Sequence, residues 1–64
     1  MELQKTLSLL SENPFNPKLK THKLKGILEG LYACRINYDF RIIFNIIVEG
    51  NKTSILLVDI GTHD

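Results

Sequence analysis

His22 lies in the run Asn16-Pro17-Lys18-Leu19-Lys20-Thr21-His22-Lys23-Leu24-Lys25-Gly26, Arg35 and Arg41 flank Asp39, and His63 precedes the last residue. These residue types suit cleavage of a phosphodiester without a metal. Cutting RNA in that way needs a base for the 2′-hydroxyl proton, an acid for the leaving 5′ oxygen, and cations for the charge that builds on a phosphorane-like transition state. Histidine does the first two near neutral pH, and arginine does the third. Each residue also has an ordinary reading: His22 as an exposed loop residue, His63 as a chain end, Asp39 as a hairpin residue. The lysines likewise read as a solvated face.

Other chemistries find less support. His22, His63 and Cys34 have no zinc-motif spacing, and no Gly-rich phosphate loop is present. Ser8, Ser11 and Ser54 lack the context of an activated nucleophile. No metal and no cofactor is therefore expected.

The net charge is only +1, but residues 16–41 hold Lys18, Lys20, Lys23, Lys25, Arg35 and Arg41 against Glu29 and Asp39, a local excess of +4. Basic surface is thus concentrated where an anionic ligand can use it. With 64 residues, 44% of them hydrophobic, the chain reads as one small globular domain over residues 1–64. Cys34, the sole cysteine, cannot form an internal disulfide, and no apolar run of membrane-spanning length occurs. A cytoplasmic protein without membrane contact is expected.

These residues need elements to hold them. Leu3, Leu7 and Leu10, with Leu9, predict a short amphipathic helix over residues 2–11, ended by Ser11-Glu12-Asn13-Pro14. Ten residues do not form a stable helix alone in water, so the leucine stripe must pack on a sheet. Residues 13–25 predict an extended or turn-rich connector anchored by Phe15, Leu19 and Leu24. Gly26 and Gly30 bracket a tight turn. An antiparallel meander then follows: 31–37, 40–48 and 53–60.

Alternation assigns Tyr32, Cys34, Ile36, Phe40, Ile42, Phe44, Ile46 and Val48 to one apolar face, extended by Leu56, Val58 and Ile60. The other face carries Leu31, Ala33, Arg35 and Asn37 beside Arg41, Ile43, Asn45 and Ile47, with Ile55, Leu57 and Asp59 on the third strand. Arg35 must then lie opposite Arg41 or one same-face position away, and two like charges so placed repel unless an anion sits between them. A sheet apolar on both faces needs two covers, which predicts a second polypeptide as one of them.

Residues 13–64 resemble the RelE/ParE toxin superfamily, and especially its YafQ-like ribonuclease branch. The resemblance is carried by residues 16–26 quoted above, by Tyr32-Ala33-Cys34-Arg35-Ile36-Asn37-Tyr38-Asp39-Phe40-Arg41-Ile42-Ile43-Phe44, and by Leu56-Leu57-Val58-Asp59-Ile60-Gly61-Thr62-His63-Asp64. It implies an α+β fold with an N-terminal helix on a three-stranded antiparallel meander, lacking the first strand and helix of longer members. It implies a metal-independent endoribonuclease that cleaves mRNA, free or on the ribosome, inhibits translation and is restrained by a cognate antitoxin. His22, Arg35, Asp39 and His63 align with catalytic positions, and Lys18, Lys20, Lys23, Lys25 and Arg41 are expected to bind RNA phosphates. His63 and His22 would transfer protons, Asp39 would orient or share that work, and Arg35 and Arg41 would hold the scissile phosphate. Arg35 stands where the YafQ branch has a histidine, and arginine is a poor proton acceptor, so the identity of the base stays open.

Longer members also run past Gly61-Thr62-His63-Asp64, often to an aromatic that stacks on the substrate base. A sheet without the first strand has an exposed edge, which favours a homo-oligomer or a bound antitoxin. The competing expectation is therefore a catalytically inactive, shortened toxin that acts as an antitoxin-binding or self-associating module. Gyrase poisoning, as in the ParE branch, fits the two histidines less well.

Overall fold

The computed structural model describes residues 2–62. They form a helix α1 (Leu3–Glu12), 3₁₀ turns at Pro17–Leu19 and Gly26–Leu28, and strands β1 (His22–Lys23), β2 (Tyr32–Arg35), β3 (Phe40–Glu49) and β4 (Lys52–Thr62). The strands make one antiparallel sheet in the order β1-β2-β3-β4, so the α+β architecture is as expected. The sheet has four strands where three were predicted. Thr21 and its neighbours do not stay a plain connector: His22 pairs with Ala33 and Lys23 with Tyr32, and the Leu24 amide donates to the Leu31 carbonyl. The free edge of β2 is satisfied in this way.

Helix α1 buries Leu10 and, unexpectedly, Thr6, whose hydroxyl donates to the Glu2 carbonyl one turn back. That hydrogen bond is what lets a polar side chain enter the core. Asn16 caps the 3₁₀ turn by accepting from the Lys18 amide, with Pro17 at its first position, and Leu19 is driven fully into the core. The core is Leu10, Leu19, Cys34, Ile36, Ile42 and Phe44, with Leu7, Leu9, Tyr32, Ile46 and Ile55 packed against it. Each complete burial of such an aliphatic or aromatic side chain contributes about 1.5–3 kcal/mol. Phe15 does not anchor the core as predicted: it stays more than half exposed and meets Tyr32 edge-on at 5.8 Å, while Tyr32 stacks on Phe44.

The β3–β4 hairpin closes on Glu49 opposite Lys52 through Gly50-Asn51, with Gly50 at φ 63°. A glycine at positive φ in the first central position is the type II′ arrangement, whose twist matches the strands. Further along, Phe44 pairs with Leu57 but Ile43 pairs with Asp59, which makes Val58 an extra residue in β4. This bulge corrects the predicted alternation. Ile55 and Leu57 stand opposite Ile46 and Phe44 on the helix-facing side, and Leu56, opposite Asn45, turns to the other side. Beyond the bulge the expected phase returns, with Ile60 opposite Ile42.

Candidate functional site

The sheet face away from α1 holds the residues that can do chemistry. Arg35 is directly opposite Arg41, the first of the two alternatives that alternation allowed, and Gly61 is opposite Arg41 on its other side. The next row across the sheet reads His22, Ala33, Ile43, Asp59. His22 is therefore diagonal to Arg35 and Asp59 diagonal to Arg41, each at a separation of about 7–8 Å, whereas directly opposed Cβ atoms lie roughly 5 Å apart. Ala33 and Ile43 are buried beneath this arrangement and form its apolar floor.

Arg41 is half-buried, and its Nε is shut off from solvent with no hydrogen-bond partner among the described residues. A buried guanidinium nitrogen without an acceptor costs the desolvation that an anion would offset. With a second arginine facing it, the pair has the charge and the donors that could hold a phosphate-like group. Gly61 leaves room there: a Cβ built on it would meet nothing within 4 Å.

His22 is exposed, and its Nδ1 lies 3.1 Å from the Lys20 carbonyl. A carbonyl can only accept, so Nδ1 carries the proton and Nε2 of the neutral ring keeps a free lone pair. Lys20 supplies that carbonyl from the left-handed conformation, φ 55°, where the 3₁₀ turn ends and β1 begins.

Asp39 sits in the β2–β3 hairpin, exposed, one residue before β3. Its amide and that of Phe40 both donate to the Asn37 side chain, at 2.8 and 3.0 Å. The Ile36 amide donates a further hydrogen bond to the Phe40 carbonyl. The turn is thereby pinned next to the arginine pair. His63 lies outside the described residues.

The lysines separate. Lys18 lines a cleft of about 320 Å³ with Arg35, Ile36, Asn37 and Tyr38. Lys23, paired with Tyr32, points to the opposite face from His22, and Lys25 is exposed just before the second 3₁₀ turn. Sequence reasoning gave no role to Asp59 or Tyr38. The alternation did carry Asp59 to this face, but nothing in the sequence marks a cleft beside Tyr38.

Comparison with known proteins gives the chain its place. A solved structure described as a YoeB/ParE toxin from Agrobacterium tumefaciens is similar, with a TM-score of 0.75 over 95% of this chain and 69% of that one. At 20% sequence identity the likeness speaks for the fold. A search among curated proteins gave no match. The chain matches the family described as "Bacterial toxin of type II toxin-antitoxin system, YafQ" over residues 1–64. On that match this protein belongs to the YafQ family of type II toxins, which have a cognate antitoxin as partner.

Proposed function

We propose that this toxin is a metal-independent endoribonuclease that cleaves single-stranded mRNA, free or in a translating ribosome, and so inhibits translation. One observation carries the reading: Arg35 and Arg41 oppose each other across β2 and β3, and the buried Nε of Arg41 lacks an acceptor. A phosphodiester seated there has its non-bridging oxygens on two guanidinium groups, which strengthens as negative charge develops during cleavage. His22 and His63 exchange the protons of the 2′-hydroxyl and the 5′ leaving oxygen. Asp39 orients or shares that work. Lys18, Lys20 and Lys25 hold the flanking phosphates, while Lys23, turned to the other face of the sheet, is left out of that role. The products are a 2′,3′-cyclic or 3′-phosphate and a free 5′-hydroxyl.

A second reading draws on β4. It is an outer strand of the sheet, and Leu56, Leu57, Val58 and Ile60 along it are each about half exposed. An apolar strand at a sheet edge is a template for another chain. In this reading the antitoxin occupies it and the protein binds without cutting.

Inducible expression in a bacterium separates the two. Growth and amino-acid incorporation are followed for the parent, Arg35→Ala and His63→Ala at matched soluble levels. Arrest by the parent alone, with cleavage of purified RNA unaffected by EDTA, supports the ribonuclease. Cleavage abolished by EDTA, or undiminished in both variants, contradicts the mechanism. Soluble parent protein that neither arrests growth nor cuts RNA favours the binding module.

A further inference from the structure

Tyr38 has a position that neither folding nor the proposed proton chemistry explains. It sits at the tip of the β2–β3 hairpin and is 90% exposed, the ring having no aromatic partner among the described residues. Turns favour Asn, Asp, Gly and Ser for backbone reasons, and tyrosine contributes nothing of that kind. The turn beneath it is nevertheless fixed, through the Asn37 side chain and the bond from the Ile36 amide to the Phe40 carbonyl. A flat apolar surface is thus held out to solvent on a rigid base.

Its surroundings say what such a surface can take. Tyr38 shares the 320 Å³ cleft with Lys18, from the 3₁₀ turn, and Arg35, from β2. That volume lies at the lower end of the range for small-ligand sites, the scale of one nucleotide. Two cations and an exposed ring match the two recognisable parts of a nucleotide, its phosphate and its base. Single-stranded nucleic acid is held in this manner elsewhere, by charged grooves lined with aromatic platforms.

We propose that Tyr38 is a stacking platform for a base of single-stranded RNA, adjoining the phosphate held by Arg35. The inference rests on the ribonuclease reading and extends it to the recognition of the base. An acidic peptide segment would use Lys18 and Arg35 equally well, but it has no need of the ring face.

The chain contains no tryptophan, so Tyr38→Trp introduces a single indole at the position in question. Its fluorescence is titrated with a 2′-O-methyl RNA octamer, which cannot be cleaved by 2′-hydroxyl attack, while the anisotropy of labelled octamer reports binding independently. Stacking predicts strong quenching that tracks binding, affinity weakened about tenfold or more in Tyr38→Ala, and affinity retained in Tyr38→Phe. An abasic oligomer of equal length should bind parent and Tyr38→Ala alike and leave the indole bright. Octamer that binds without quenching, or binds Tyr38→Ala as tightly as the parent, overturns the platform while the ribonuclease reading stands. Absence of RNA binding by the parent overturns both. Quenching by an acidic peptide and not by RNA reassigns the ring to a protein partner and also overturns the proposal.

Discussion

The opposed arginines and the glycine beside them form a unit at the scale of single residues. Gly61 has no positive φ to require a glycine, and a Cβ there meets open space. The backbone therefore tolerates other residues, yet a larger side chain would project beside Arg41 on the same face. With open space at its Cβ, Gly61→Leu should fold with stability within about 0.5 kcal/mol of the parent and, on the ribonuclease reading proposed above, lose most RNA cleavage. Thermal melting and a cleavage assay on the same sample check this; full activity in Gly61→Leu would place the phosphate elsewhere. Lys18 and Lys23 illustrate what residue type alone cannot convey. Both are lysines of one basic run, but the 3₁₀ turn aims Lys18 into a cleft with Arg35, while strand pairing turns Lys23 toward Tyr32.

Among the elements, β4 departs most from what its sequence announces. Leu56, Val58 and Ile60 alternate as one face, and only Ile60 keeps its predicted side, because Val58 is a bulge residue. Ile55→Ala should consequently destabilise the fold by roughly 1–2 kcal/mol, below the range for fully buried aliphatics since Ile55 is partly exposed. Leu56→Ala should cost less than about 0.5 kcal/mol. Urea denaturation of the two variants is the measurement, and the reverse order would deny the bulge. Much of the fold was legible in advance. Helix α1, the Gly26–Gly30 turn, the three long strands and the facing arginines all follow from periodicity and turn residues. A bulge leaves no mark in composition, and β1 is two residues long, too short for any periodic signal. Of the candidate site, sequence placed the arginine pair by parity alone, whereas the unpartnered Nε of Arg41 and the cleft beside Tyr38 depend on side-chain packing that parity does not encode.

Considered whole, the molecule is two unequal layers, with one short helix on one side of the sheet and the charged face on the other. Cys34 belongs to the helix side, 1% exposed, and burial pushes its thiol pKa above the ordinary value of 9.0, against a smaller lowering by a backbone hydrogen bond from Ile42. The folded state thus favours the neutral thiol. Its contribution to stability is complete below the unfolded pKa and declines as pH rises from about 9 through the folded value. Unfolding free energy should fall over that alkaline window in the parent and fall less in Cys34→Ala; identical slopes would remove Cys34 as the cause. The order of the sheet, β1-β2-β3-β4, is also the order of the chain, so every strand pairs with its immediate predecessor or successor. Within the sheet no distant strand has to be found before another can dock, whereas α1 comes from the far end of the chain to set Leu10 in a core against which Ile55 packs. Low contact order within the sheet favours rapid folding by zippering, from the Gly50 turn outward along the longest ladder. The two-residue pairing that carries His22 has the least to hold it, so it should be the last part of the charged face to form and the first to exchange its amide protons.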